Sequence, residues 1–356
     1  KVRLGVVALD GGKTVWIPTG VGDGYIARAG WLPGGGEVWF QILNRGQTDL
    51  ELRRANPGVG TSRVMVADRA SDWVNVRDDL TFVGDDRFVW SSERDGWRHL
   101  YLYTLAGSMV RRLTRREWQV DKVYGLPGSG TRLVYRANAE DHRERHLYSV
   151  SLTGGSPQLL ASDPGDHRGF LSPDGQHVVD RHSSTTTPPR LDLLTVGGRK
   201  VATIDDGSIP ALGEVETHEP EFGTIAAADG VPLHTWMFRP PDFDPSKKYP
   251  ALVYVYGGPG AQMVVNAWGG TRFLFMQYLA RMGLVVFCLD NRGSWGRGHA
   301  FESPIHRRLG EVELEDQLAG VEYLKRQPWI DADRIGIYGG SYGGYMVLIA
   351  MNRAPE

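Results

Sequence analysis

One segment of the sequence has the residue types and spacing of a serine nucleophile. Gly339-Gly340-Ser341-Tyr342-Gly343 contains Gly-x-Ser-x-Gly, and it lies between a predicted strand over 334–338 and a predicted helix over 345–351. The chain turns sharply in such a motif, so the neighbours of the serine must be small, and the helix start directs N–H groups towards the hydroxyl. The pattern predicts acyl-transfer chemistry at Ser341, with the Tyr342 N–H as an oxyanion donor. A glycine-rich turn with an incidental serine, or a phosphate-binding turn, gives the same pattern.

A second oxyanion donor is expected from the loop after an earlier strand. Tyr256-Gly257-Gly258-Pro259-Gly260 follows a predicted strand over 251–256, and its glycines allow the backbone to approach a ligand closely. The phenol of Tyr256 is a suitable hydrogen-bond donor. A core tyrosine at a strand end is the alternative interpretation of the same residue.

Strands and helices alternate around these two segments. A hairpin with an Asp-Gly turn is predicted over 222–238. Short apolar strands and amphipathic helices follow, at 251–256, 273–282, 284–289, 311–326 and 334–338. This alternation predicts a parallel sheet with flanking helices.

The first part of the chain repeats. Apolar strands begin at Val38, Phe88, Leu133 and His177, so the repeat is 44 to 50 residues long. A polar turn and a second alternating strand follow each of them. Short strands at a fixed repeat of this length are typical of a β-propeller, whereas a β-sandwich gives similar strands without the fixed repeat. We therefore predict propeller blades over 1–215, with earlier blades expected before Lys1.

Taken in order, several motifs resemble the prolyl oligopeptidase family of serine peptidases and, within it, the dipeptidyl peptidase IV subfamily. The segments that carry the resemblance are 91–101, 254–260, 290–293, 306–317 and 339–345. The resemblance implies a partial N-terminal β-propeller over 1–215. It also implies a partial α/β-hydrolase domain over 216–356, which reaches as far as the nucleophile elbow.

The resemblance also implies roles for individual residues. Ser341 matches the nucleophile, Tyr256 matches the oxyanion-hole tyrosine, and Tyr342 matches a residue that also borders the substrate pocket. The implied activity is that of a serine exopeptidase that releases N-terminal dipeptides, with Pro or Ala preferred at the second position. Gly340 departs from the subfamily, which commonly has Trp there, and matches acylaminoacyl-peptidase-like members instead. An acylaminoacyl-peptidase-like hydrolase or an esterase of the same fold is therefore one alternative, and a non-catalytic propeller interaction protein is a separate one.

The remaining triad residues are not found after the nucleophile. An α/β-hydrolase orders its triad as Ser, then Asp or Glu, then His, yet residues 342–356 contain no His and no Asp. His299 and His306 are interpreted as loop or structural residues. We therefore expect the chain to be a fragment, with the acidic pair that binds the substrate amine before Lys1. Little or no hydrolysis is expected from residues 1–356 alone.

Composition excludes other classes of function. The 356 residues contain 40 Lys and Arg against 42 Asp and Glu, a net charge of −2 that argues against nucleic-acid binding. A single cysteine, Cys288, excludes internal disulfides and cysteine-rich metal sites and is predicted to be a buried structural thiol. No apolar run approaches the roughly 20 residues of a membrane span. We expect peptide substrates and neither metal nor cofactor. A homodimer and an exported or periplasmic location rest on family analogy alone.

Overall fold

The computed structural model describes residues 2–76, 78–128 and 130–355. Within them it contains a two-stranded ribbon, four four-stranded sheets and one five-stranded sheet. In each four-stranded sheet the strands lie side by side in the order of the chain. The predicted repeat is confirmed at the level of these sheets, because each repeat forms one of them.

The strands of the ribbon and of the four-stranded sheets extend from Gly5 to Asp205. Their bounds are β1 (Gly5–Val6), β2 (Val15–Trp16), β3 (Tyr25–Trp31), β4 (Val38–Leu43), β5 (Asp49–Asn56), β6 (Thr61–Arg69), β7 (Thr81–Val83), β8 (Arg87–Ser92), β9 (His99–Thr104), β10 (Met109–Arg112), β11 (Val120–Gly125), β12 (Arg132–Ala137), β13 (His146–Ser151), β14 (Gln158–Leu159), β15 (Asp166–Leu171), β16 (His177–Ser183), β17 (Arg190–Thr195) and β18 (Lys200–Asp205).

Aromatic side chains form pairs across neighbouring strands. On β8 and β9, Phe88 lies opposite Tyr103 and Trp90 lies opposite Tyr101, and all four side chains are buried. The rings of Phe88 and Tyr103 stack with their centroids 5.6 Å apart. Such cross-strand pairs stabilise a sheet by roughly 0.2–1 kcal/mol each.

A five-stranded sheet with helices follows Glu221. After a 3₁₀ turn at Pro210–Glu214, its elements are β19 (Glu221–Ala226), β20 (Pro232–Phe238), β21 (Tyr249–Tyr254), α1 (Gly270–Arg281), β22 (Val285–Leu289), α2 (His299–Glu302), a 3₁₀ turn at Ser303–Ile305, α3 (Val312–Lys325), β23 (Ile330–Tyr338) and α4 (Tyr342–Arg353). The strand order is β19-β20-β22-β21-β23.

The prediction of a parallel sheet is correct for only three of these strands. β21 pairs in parallel with β22 and with β23, whereas β20 pairs with β22 in the antiparallel sense. The predicted hairpin of β19 and β20 therefore joins the sheet and makes it mixed. Trp236 and Phe238 of β20 are buried, so the hairpin has an apolar face that must be covered.

The central strand β22 is buried along its whole length, as its apolar sequence predicted. Cys288 on this strand is fully buried and unpaired, which confirms a structural thiol. Burial raises the pKa of its thiol well above the usual value, and a protonated thiol is a poor nucleophile.

The chain divides into two compact units. One consists of Lys1–Tyr135 and Ser149–Gln158, and the other of Arg136–Tyr148 and Leu159–Glu356. All the residues of the candidate site belong to the second unit. No helix among the described residues is long and apolar enough to cross a membrane.

Candidate active site

The turn at Ser341 has the backbone conformation of a strained strand-to-helix connection. β23 ends at Tyr338, and α4 begins at Tyr342. Ser341 lies between them with φ 56° and ψ −120°, a region that residues with a side chain rarely occupy. Such a conformation costs about 1–3 kcal/mol and persists only where the surrounding structure imposes it. Ser341 is exposed to solvent.

Two glycines allow the turn to pack against the end of β21. A Cβ atom added at Gly339 or at Gly343 would collide with the carbonyl oxygen of Val255. The Val255 N–H also donates a hydrogen bond of 2.9 Å to the Tyr338 carbonyl, which aligns the two strand ends. The residues at 339 and 343 must therefore be small because the backbone of Val255 leaves no room for a side chain there.

The residue directly before Ser341 has open space around it. A Cβ atom at Gly340 would have no heavy atom within 4 Å. Gly340 also borders a cavity of about 630 Å³ within this unit. Its lining includes Tyr254, Trp268, Arg272, Phe275 and Tyr338. The cavity therefore reaches the residue that precedes the candidate nucleophile.

The start of α4 supplies N–H groups at Ser341. Tyr342 is its first residue, and the first N–H groups of a helix have no partner inside it. The N–H groups of Gly344 and Tyr345 donate to the Ser341 carbonyl at 2.9 and 3.2 Å and fix the turn. The partial positive charge of the helix start favours an anion that forms beside Ser341.

Tyr256 and Tyr342 lie next to each other. Their ring centroids are 6.3 Å apart. Gly258 lies against both rings, since a Cβ there would be 2.6 Å from Cε1 of Tyr256 and 3.1 Å from Cγ of Tyr342. Burial raises the pKa of Tyr342, and its hydrogen bond to Glu313 adds to the shift, so this phenol stays protonated. The structure thus brings the three predicted site residues into one region.

Asp290 and Asn291 form a second loop, and their hydrogen bonds fix the loop that carries Tyr256. The Asp290 carboxylate accepts hydrogen bonds from the N–H groups of Met263 (2.7 Å) and Val264 (3.1 Å). Asn291 donates from Nδ2 to the Gly257 carbonyl at 3.2 Å. Burial raises the pKa of Asp290 to about 7, and the two N–H donors act in the opposite direction. These contacts fix the backbone on both sides of Gly258.

The arrangement can support attack by an exposed hydroxyl on a carbonyl group. The N–H of Tyr342 at the helix start follows Ser341 directly, and the ring of Tyr256 lies 6.3 Å from the ring of Tyr342, so an N–H group and a phenol are candidates to stabilise the negative charge that develops. Within residues 2–76, 78–128 and 130–355, no group of three or more His, Cys, Asp or Glu side chains has a geometry that could hold a metal ion.

Two family models match the chain. The dipeptidyl peptidase IV N-terminal region matches residues 1–189, and the prolyl oligopeptidase family matches residues 271–356. The chain belongs to the dipeptidyl peptidase IV branch of the prolyl oligopeptidase family. This membership confirms the resemblance found in the sequence motifs.

Named members of this family are similar to nearly the whole chain. Dipeptidyl peptidase 8 of Mus musculus is 30% identical over 400 residues, an alignment that covers 93% of this chain and 44% of the relative. Dipeptidyl peptidase 4 of Arthroderma otae is 29% identical over 343 residues, with 92% and 44% covered. The crystal structure of Porphyromonas gingivalis dipeptidyl peptidase 4 superposes with a TM-score of 0.92 at 31% identity, over 99% of this chain and 50% of that chain. The chain spans half or less of the length of these family members.

Two sets of residues beside the candidate site lie in segments that carry the resemblance, but the sequence analysis gave them no role in the site. One is Asp290 and Asn291, whose position directly after the apolar strand β22 is a usable signal, because ligand sites gather at the carboxyl ends of strands. The other is Glu313, Asp316 and Gln317 on α3, which are all buried. The helical pattern of apolar residues predicted α3 correctly, but it did not indicate that these polar side chains are buried.

Proposed function

We propose that the protein is a serine exopeptidase that releases N-terminal dipeptides, with Pro or Ala preferred at the second position. The observation that carries the proposal is the strained, exposed Ser341 at the start of α4, next to Tyr342 and near Tyr256. Family membership supports it, since the relatives named above are dipeptidyl peptidases. Because the chain spans 44% of those relatives, the activity is proposed for the whole protein.

The proposed architecture is a β-propeller over 1–215 and an α/β-hydrolase domain over 216–356. Four consecutive four-stranded antiparallel sheets support the propeller, because each is the unit from which a blade is built. The change of sheet type between β18 and β19 supports the boundary. A homodimer stays a prediction from family analogy.

In the proposed reaction, Ser341 Oγ forms a bond to the carbonyl carbon of the second substrate residue. The resulting oxyanion accepts hydrogen bonds from the Tyr256 phenol and the Tyr342 N–H. A general base takes the serine proton and returns it to the leaving amine as the peptide C–N bond breaks. Water then attacks the acyl-enzyme by the same route and releases the dipeptide. Residues 342–356 contain no histidine, so no base is assigned within this chain.

One observation favours a second candidate, an acylaminoacyl-peptidase-like hydrolase or an esterase. Gly340 occupies the position where the dipeptidyl peptidase IV subfamily commonly has Trp, and it leaves open space and a cavity beside Ser341. A substrate with a blocked amino group or a larger leaving group would find room there.

Rates on three anilides separate the two candidates. We expect the whole protein to release the chromophore from Gly-Pro and Ala-Pro anilides at least tenfold faster than from an N-acetyl-alanine anilide. A free amino group is required for dipeptide release, and acetylation removes its charge. Faster cleavage of the acetylated substrate would instead identify the second candidate.

The role of Tyr256 gives a separate prediction. Tyr256→Phe is expected to lower kcat on Gly-Pro anilide by about 100-fold with little change in KM, because loss of one oxyanion donor acts mainly on the transition state. Tyr278→Phe, at an exposed position of α1, is the matched control and should keep the wild-type rate. An unchanged kcat in Tyr256→Phe would remove Tyr256 from the oxyanion hole.

A further inference from the structure

Helix α3 carries a row of buried polar side chains that the proposed reaction does not use. Glu313, Asp316 and Gln317 have exposed fractions of 0%, 1% and 2%. Residues at these spacings lie on one face of a helix. Burial of a carboxylate is costly unless its oxygens accept hydrogen bonds, so each member of the row must have partners. Apart from the Gly310 N–H, the partners described below belong to the Ser341 turn or to the loop that follows β22.

Glu313 contacts the substrate-facing tyrosine. Its Oε1 accepts a hydrogen bond of 2.7 Å from the Tyr342 hydroxyl, and its Oε2 accepts one of 2.9 Å from the Gly310 N–H. Glu313 is the second residue of α3, where the partial positive charge of the helix start stabilises a carboxylate. A buried carboxylate therefore holds the far end of the Tyr342 side chain, while the Ser341 turn holds its backbone.

The ring of Tyr342 is confined on other sides as well. The Tyr345 ring meets it edge to face at 5.1 Å, and the Tyr256 ring lies 6.3 Å away. Tyr345 is itself held by a hydrogen bond from its hydroxyl to the Leu309 carbonyl. With its hydroxyl bound to Glu313, the Tyr342 ring has one orientation, and that orientation sets the wall of the proposed substrate pocket.

The other two members of the row contact the second loop of the site. Gln317 donates from Nε2 to the Asn291 side-chain oxygen at 2.9 Å, and Asn291 in turn donates to the Gly257 carbonyl. Asp316 accepts from the guanidinium and from the backbone N–H of Arg292. One helix face thus reaches both Tyr342 directly and the loop of Tyr256 through one intervening side chain.

We propose that Glu313 is a positioning residue that sets substrate specificity by fixing the Tyr342 ring in the pocket wall, with α3 serving as the common support of both substrate-facing tyrosines. This inference rests on the proposed peptidase function. It makes a distinct claim, because Glu313 acts on substrate binding through Tyr342 and not on the nucleophile.

The test is a double-mutant cycle of Glu313→Gln and Tyr342→Phe in the whole protein, with Gly-Pro anilide as substrate. An amide at position 313 has one oxygen in place of two, so it cannot accept from Gly310 and Tyr342 in the same geometry. The charge-assisted hydrogen bond donated by the Tyr342 hydroxyl is therefore replaced by, at most, a weaker neutral one donated by the amide. We expect each single variant to raise KM about tenfold with kcat changed less than threefold, the size of effect that such a hydrogen bond produces. The double variant should be no worse than either single one, because both remove the same contact.

Glu315→Gln is the matched control. Glu315 is two residues further along α3 with its side chain 59% exposed, and its ion pair with Arg308 spans 3.6 Å. This variant should keep the wild-type KM. Should Glu313→Gln fail to fold in a thermal unfolding assay, Tyr342→Phe alone must still raise KM. A wild-type KM in Tyr342→Phe, or additive effects in the double variant, would overturn the role of Glu313.

Reaction with a fluorophosphonate separates this inference from the proposed function. If wild type is not labelled at Ser341, the proposed function fails. If wild type and Glu313→Gln are labelled at similar rates while the KM values differ as stated, both hold. If both are labelled and cleave Gly-Pro anilide with equal KM, only the Glu313 inference fails.

Discussion

Replacement of Ser341 by alanine is expected to reduce hydrolysis of Gly-Pro anilide by the whole protein at least about 10⁴-fold, because the acyl-enzyme cannot form without the hydroxyl. Labelling by a fluorophosphonate should disappear in the same variant. Ser246→Ala, at an exposed turn of the same unit, is the control and should be labelled as wild type. Hydrolysis by Ser341→Ala above 1% of the wild-type rate would show that another residue is the nucleophile.

The backbone at Ser341 adds a stability comparison to this experiment. Ser341 has φ 56°, which alanine tolerates no better than serine, whereas glycine adopts it without cost. Ser341→Ala should therefore unfold at the wild-type temperature, and Ser341→Gly should gain about 1 kcal/mol. Equal stability of the two variants would mean that the turn holds no strain. A gain in stability in Ser341→Gly would mean that the backbone conformation of Ser341 lowers the stability of the wild-type protein.

Replacement of Gly343 by alanine is expected to destabilise the protein by about 3 kcal/mol and to lower kcat/KM about 100-fold. The added Cβ would collide with the Val255 carbonyl oxygen and lie 3.3 Å from the Tyr256 Cα. Both neighbours are backbone atoms, so no rotamer change relieves the clash. The turn must therefore move away from β21, and Ser341 moves with it relative to Tyr256. Chemical denaturation and anilide kinetics measure the two effects.

Gly344→Ala is the adjacent control with the opposite expected sign. A Cβ at Gly344 has its nearest neighbour, the Gly339 carbonyl oxygen, at 3.8 Å, which is ordinary contact. Alanine is favoured over glycine inside a helix by about 1 kcal/mol, so this variant should be slightly more stable and fully active. Equal losses in the two variants would show that the Val255 contact does not control the turn.

The sequence contained enough local information to predict most individual elements. The apolar run before Asp290 identified β22, and the helical spacing over 311–326 identified α3 within one residue at each end. The turn at Ser341 was predicted from its glycines, although α4 begins three residues earlier than the apolar pattern indicated. These features depend on residues close together in the chain, where propensity and periodicity apply.

The features that the sequence could not predict are contacts between segments that lie far apart in the chain. Nothing local to Gly343 indicates that its partner is Val255, and nothing local to Glu313 indicates that it binds Tyr342. The antiparallel entry of β20 into the sheet is a further case, because strand order is a property of the whole domain. A polar residue on an amphipathic helix is normally predicted to face solvent. The burial of the polar row of α3 therefore could not be predicted from the sequence.

The strand order also decides when the site can form as the protein folds. Tyr254 of β21 pairs with Tyr338 of β23, and α1, β22, α2 and α3 all lie between them in the chain. Pairings between such distant segments form late in folding. Ordering the chain between them costs conformational entropy before the pairing contributes any stabilisation. The Ser341 turn needs the backbone of Val255 beside it, so its strained conformation has no support until β23 docks. A newly made chain therefore acquires the strained Ser341 turn only after β21 and β23 have paired.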